Sequence, residues 1–180
     1  MTTFIKHPDE YKVGTRVMFS VGRPKDGVLK HTSVPHVTRN VREFDRAIKL
    51  MWDGLPEGHR IYSSASRRAV HKAARLFRER QLAAEYDSSP LAFYEDLNGR
   101  WVSALMAKQS SENKLWMFDC DSVSDAEQVL AEYRQITKRD PYSYKTKNGT
   151  HMIVPGFDKS RLSDDVRAML DENPSMLWAY

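Results

Sequence analysis

Lys114 to Asp158 reads KLWMFDCDSVSDAEQVLAEYRQITKRDPYSYKTKNGTHMIVPGFD, and the rest of the chain is organised around it. The apolar run Leu115 to Phe118 predicts a strand, and two acids, Asp119 and Asp121, stand at its end one residue apart. Residues i and i+2 of a strand share a face, so both carboxylates are expected to project together. Like charges placed so closely repel each other and invite a cation between them. An oxygen-rich site of this kind suits Mg²⁺ or Mn²⁺. Cys120, between the acids, points to the opposite face and reads as a small buried hydrophobe rather than a nucleophile. Ser122 or Ser124 can cap a helix from Asp125 to Lys138, with Ala126, Val129, Leu130, Tyr133 and Ile136 as its apolar positions. Pro141 ends it. Tyr142 to Thr146 and His151 to Val154 then pair as a hairpin across a polar turn in which Gly149 permits a positive φ. Lys147, Asn148, Thr150 and His151 offer donors suited to a phosphate. Tyr142 and Tyr144 share one strand face, where core packing is the default and base stacking the alternative.

A strand ending in Asp-x-Asp, then a helix, then a Ser/Thr-x-x-Gly-x-His hairpin running into an apolar strand resembles the archaeo-eukaryotic primase superfamily, also called primase-polymerases. The motifs stand here as Asp119-Cys120-Asp121 and Thr146-Lys147-Asn148-Gly149-Thr150-His151. The resemblance implies metal ligation by Asp119 and Asp121, contact of His151 with the phosphates of an incoming nucleotide, and Thr146 in place of the usual serine. It also implies an RRM-like C-terminal half with the acids and His151 on one sheet surface. The family uses a third carboxylate on a strand downstream of the histidine. Asp158, Asp164, Asp165, Asp171 and Glu172 are what remains, and Asp158 is the candidate.

Composition sets wide bounds. At 180 residues and 41% hydrophobic content the chain is expected to be one α+β domain, a mixed β-sheet with flanking helices and a proper core. Residues 1–14 read as a lead-in with little structure, 15–90 as an N-terminal αβ part, and 91–180 as the part carrying both motifs. A net charge of +4 permits a polyanionic partner without demanding one. One cysteine excludes an internal disulfide and a cysteine-built metal site, and fits a reducing compartment. No run approaches membrane-spanning length, so a cytoplasmic protein with no membrane partner is expected.

Arg16 to Val21 predicts a first strand, followed by a basic loop with Arg23, Lys25 and Lys30; His31 and His36 read as loop histidines. Asn40 caps a helix from Val41 to Trp52, with Phe44, Ala47, Ile48, Met51 and Trp52 as its buried stripe. Arg60 to Ser64 is the next strand, and its serine-rich turn leads into a long helix, Arg67 to about Glu85. Arg67 and Arg68 in its first turn oppose the helix dipole unless an anion binds there, and as two exposed arginines they cost only a few tenths of a kcal/mol otherwise. The resemblance, whose family also has a strand followed by a Ser/Asn/Arg turn here, implies Ser64 and Arg67 as phosphate contacts. Lys72, Arg75, Arg78 and Arg80 read as a solvated face or a phosphate-backbone track. After a break at Asp87-Ser88-Ser89-Pro90, a helical segment runs from Leu91 to Lys108, interrupted near Asn98-Gly99. Arg161 to Leu170 predicts a short helix and Met176 to Tyr180 a last strand.

Two functions follow. One is a nucleotidyltransferase that joins a nucleoside triphosphate to a DNA or RNA strand with Mg²⁺ or Mn²⁺. The other is a non-catalytic nucleic-acid-binding module with the same fold.

Overall fold

The computed structural model describes residues 3–22, 33, 35–86 and 90–180. The basic loop with Arg23, Lys25, Lys30 and His31, and the break at Asp87, Ser88 and Ser89, lie outside them. The chain is α+β as expected, but in place of one mixed sheet the described strands divide between two four-stranded sheets in which every pairing is antiparallel.

The first sheet has the order β2-β1-β3-β8, built from β1 (Arg16–Gly22), β2 (His36–Thr38), β3 (His59–Ser64) and β8 (Ser175–Ala179). His36, which the sequence places in a loop, pairs with Met18 on the edge strand β2. Helix α1 (Val41–Asp53) begins at Asn40, whose side chain accepts from the Glu43 amide. Its stripe of Phe44, Ala47, Ile48 and Met51 is buried as the spacing predicts. The other face of the sheet carries α2 (Val70–Tyr86) and α4 (Leu97–Met106), packed through Val17, Ala73, Ala104 and Leu105.

The second sheet has the order β5-β6-β4-β7, built from β4 (Leu115–Cys120), β5 (Tyr142–Lys145), β6 (Thr150–Pro155) and β7 (Leu170–Asp171). Helix α5 (Val123–Thr137) joins β4 to β5 and α6 (Asp164–Ala168) lies between β6 and β7. Alternation sorts the side chains. Trp116, Phe118, Cys120, Met152 and Val154 pack against Val129 and Tyr133 of α5 and Val166 of α6. Met117, Ile153 and Tyr144 face the other way and join Met18, Ile61, Leu177 and Trp178 of the first sheet in a shared core.

Several sequence expectations need correction. The segment before Gly14 is not a bare lead-in: Thr3 and Ile5 donate to Tyr180 and Trp178 carbonyls, at 2.6 and 2.8 Å, along the free edge of β8. Tyr11 is buried in the shared core. An open strand edge presents unpaired backbone groups, and this segment covers one. The long helix starts at Val70 rather than Arg67, because the amides of Arg67, Arg68 and Ala69 donate to Asn113, Thr15 and Ser110 instead of entering a helical ladder. The segment from Leu91 to Lys108 divides at Asp96, not Asn98-Gly99, into α3 (Pro90–Tyr94) and α4; the Asp96 side chain caps α4 by accepting from the Gly99 amide. Helix α5 starts at Val123, where Ser122 and Asp125 form a reciprocal capping box. The predicted helix from Arg161 to Leu170 resolves into a single turn Lys159–Arg161, then α6, then β7.

Candidate functional site

Three strands place one residue each in a row across the second sheet. Asp119 on β4 is directly opposite His151 on β6, and His151 is directly opposite Tyr144 on β5. Directly opposed residues of an antiparallel pair lie on one sheet face, here the face turned toward the first sheet. His151 Nε2 lies 3.0 Å from Asp119 Oδ1, and Tyr144 Oη lies 2.9 Å from His151 Nδ1. Asp119 keeps 60% of its side chain exposed and His151 only 13%, so the pair stands at the rim of the inter-sheet core. Asp121 follows the last residue of β4 and is exposed at the same end of the sheet.

The hairpin turn lies against that end. The Gly149 amide donates to Thr146 Oγ1 at 3.1 Å and the Thr146 amide to the Gly149 carbonyl at 2.9 Å. Gly149 does not have the positive φ that the sequence allows it. A glycine is needed for closeness: a Cβ there would collide with the Cys120 carbonyl oxygen and stand 3.1 Å from Asp121 Cα. Lys147 and Asn148 are exposed on the turn beside the two acids. Cys120 is buried, as alternation predicts, and its thiol is pushed up to about 11 by burial and then by Asp125, Asp119 and Asp121. It has no thiolate character to offer chemistry.

The remaining candidates fall elsewhere. Asp158 lies beyond the opposite end of β6: Pro155 pairs with Leu115, while His151 pairs with Asp119. Four residues of strand amount to about 13 Å, so Asp158 does not join the Asp119 cluster. It accepts from the Ser160 amide and hydroxyl, at 3.0 and 2.7 Å, and these bonds lower its pKa. The turn with Ser64 and Arg67 also sits by the start of β4, where the Leu115 amide donates to Ser66 Oγ at 3.1 Å. Ser64 is fully buried and its Oγ accepts from the Val17 amide at 3.3 Å. Arg67 is 40% exposed and lies 3.5 Å from Glu112.

Arg68 is not a surface residue at a helix start. It is 2% exposed, and its Nη1 donates to Asn173 at 3.0 Å, to Ser111 at 3.2 Å and to the Met106 carbonyl at the end of α4 at 3.4 Å. Burial lowers its guanidinium to about 10. Arg16 is buried likewise and holds the carbonyls of Ser64, Ala65 and Val13. Together these arginines pin the turn after β3.

Two placements escape the sequence analysis. Asp171 is on β7, the strand beside β4, opposite Met117 and therefore on the face that Met117 shares with Asp119. Its strand has two residues, too short for a periodic signal. The contact of Tyr144 with His151 does have a signal, because pairing outward from the turn sets Lys145 opposite Thr150 and Tyr144 opposite His151. Among the described residues no three His, Cys, Asp or Glu side chains form a metal-ligand set. No helix among them is long and apolar enough to cross a membrane. Comparison of the chain with protein-family models, with curated proteins and with solved structures finds no match.

Proposed function

We propose that this chain is a metal-dependent nucleotidyltransferase of the primase-polymerase kind, joining a nucleoside triphosphate to a DNA or RNA strand. The observation that carries the proposal is the Asp119–His151 pair, side by side on one sheet face with the phosphate-suited turn beside it. The strand–helix–strand–strand–helix–strand order of the second sheet supports the RRM-like expectation. Asp171, on the adjacent strand and on the face of Asp119, replaces Asp158 as the candidate third carboxylate in this proposal; its register opposite Met117 sets it apart from the Asp119–Asp121 pair, and the three do not form a ligand set in the structure.

The residues fit a hard divalent cation. Asp119 and Asp121 are exposed carboxylates, and Mg²⁺ takes one or two protein carboxylates and fills its octahedron with water and substrate phosphates. When bound, Mg²⁺ or Mn²⁺ would neutralise the phosphates and lower the pKa of the attacking hydroxyl. The chain's own groups orient the substrate. His151 Nε2, Lys147, Asn148 and Thr146 provide donors at one end of the sheet for the triphosphate oxygens. Arg67, partly exposed at the far end of β4, is assigned to the nucleic-acid strand; Ser64, a candidate phosphate contact in the sequence, is fully buried behind the Val17 amide and has no surface to offer a ligand. In the reaction the strand's hydroxyl oxygen bonds to the α-phosphorus and its proton passes to solvent, while the bond from the α-phosphorus to the bridging oxygen breaks and pyrophosphate leaves.

The test is nucleotide incorporation on primed and unprimed templates with Mn²⁺ or Mg²⁺, comparing the wild type with Asp119→Asn/Asp121→Asn. The double variant removes both charges at nearly constant size, so it should keep the wild-type melting temperature and lose incorporation by orders of magnitude. If the wild type binds nucleic acid equally with and without metal and incorporates nothing, the chain is the non-catalytic binding module.

A further inference from the structure

We propose that Tyr144 is a positioning residue that holds His151 in the tautomer with its proton on Nε2, so that His151 presents an N–H donor to a triphosphate oxygen. The proposal rests on the nucleotidyl-transfer function above for the identity of the ligand, but its geometry does not. Three hydrogen bonds run in series. The Leu177 amide of β8 lies 3.2 Å from Tyr144 Oη, Tyr144 Oη lies 2.9 Å from His151 Nδ1, and His151 Nε2 lies 3.0 Å from Asp119 Oδ1.

A backbone amide can only donate, so the Leu177 N–H uses the phenol oxygen as acceptor. The phenol's own hydrogen then needs an acceptor in a place where Tyr144 is 7% exposed, and His151 Nδ1 is the acceptor within reach among the described bonds. Accepting there leaves Nδ1 bare, so the neutral ring carries its hydrogen on Nε2. That assignment comes from the bonding network, and the other end of the series agrees with it. An ionised carboxylate accepts only, and Asp119 Oδ1 faces Nε2. The opposite tautomer would set a nitrogen lone pair against the carboxylate and strand the phenol hydrogen.

Packing holds the phenol as firmly as the bonds do. The Tyr144 ring meets His151 edge-on, with centroids 5.2 Å apart at 72°, and meets His7 at 4.6 Å and 87°. The first sheet thus reaches through one tyrosine to set the ring of a residue on the second. In the structure this N–H is given to Asp119; a phosphate oxygen that takes the carboxylate's place when Asp119 turns to a metal would find the same donor, where the other tautomer would meet it with a lone pair.

The experiment reads the ring nitrogens of His151 by long-range proton–nitrogen correlation in the metal-free protein at about pH 8, above the ordinary imidazole range. The variants are Tyr144→Phe and, as a control, Tyr142→Phe, whose lost hydroxyl bonds His7 rather than His151. Wild type and Tyr142→Phe should show His151 protonated on Nε2, and Tyr144→Phe a mixture of tautomers. In a second arm, adenosine triphosphate is titrated with Mn²⁺ present. Tyr144→Phe should weaken binding about tenfold, the scale of one charge-assisted hydrogen bond. It should add nothing in a His151→Ala background if it acts through His151. A wild-type ring protonated on Nδ1, an unchanged tautomer in Tyr144→Phe, or an equal loss in the His151→Ala background would overturn the proposal. A fixed Nε2 tautomer with no triphosphate binding by the wild type would support the positioning and remove the nucleotidyl-transfer function instead.

Discussion

Gly149 packs against the backbone of Cys120 so closely that a Cβ would collide with the Cys120 carbonyl oxygen and stand 3.1 Å from Asp121 Cα. The obstacle is backbone, which cannot swing aside as a side chain can. Gly149→Ala should therefore push the hairpin turn away from the two acids and destabilise the fold by about 1–3 kcal/mol, the range for overpacking. Chemical denaturation measures this, and nucleotide incorporation should fall with it. Wild-type stability in Gly149→Ala would mean that the turn does not sit tightly on the Asp-x-Asp end.

Asp171 and Asp158 separate two versions of the site. Asp171 lies on the strand next to Asp119 and on its face, whereas Asp158 caps a turn beyond the far end of the sheet. Asp171→Asn should reduce Mn²⁺-dependent incorporation by orders of magnitude and leave folding intact. Asp158→Asn should change incorporation less than about tenfold, the effect of a substitution outside the metal's reach. The opposite ranking would restore Asp158 as the third carboxylate.

Arg67 and Arg68 are sequence neighbours with different work. Arg67 is partly exposed and Arg68 is buried on the Asn173, Ser111 and Met106 oxygens. Arg67→Ala should weaken nucleic-acid binding and reduce the slope of log K against log salt by about one for one lost phosphate contact, with stability little changed. Arg68→Ala should leave that slope alone and cost about 1–3 kcal/mol of stability by stranding buried acceptors. Salt-dependent binding isotherms and thermal melts distinguish the two.

His7 gives the fold an acid-sensitive joint. It is 3% exposed, its Nε2 lies 2.7 Å from the Leu177 carbonyl, and its ring stands against Tyr144 and Trp178. Burial lowers its pKa from 6.5 to about 4, although the bond to the Leu177 carbonyl opposes the shift. The unfolded chain takes up this proton below about pH 6.5 and the folded chain only near 4. Between those values stability should fall with falling pH by about 1.4 kcal/mol per unit from this group. His7→Gln should remove that component from the acid limb of a stability–pH profile. Parallel profiles for the two proteins would show that His7 is not buried neutral.

Local chemistry is legible in the amino-acid sequence. The Asn40 and Ser122 caps, the α1 stripe, the β4–α5–hairpin order and the inward turn of Cys120 all follow from spacing and side-chain type, because each depends on residues a few positions apart. That Asp119 and His151 share a sheet surface is what the family resemblance implies; their directly opposed register comes from the pairing of β4 with β6. What the tertiary structure decides is long-range. Arg68 reads as a charge at a helix start, and only the carbonyls of α4 and the side chain of Asn173 make it a buried pin. Asp171 reaches the face that Asp119 shares, opposite Met117, only when two residues after α6 add a strand to the edge of β4. Tyr144 meets the Leu177 amide only when the two sheets close on a common core. Periodicity reports which face of an element is apolar, but the partner of that face is chosen by packing among distant segments, which leaves no local pattern to read.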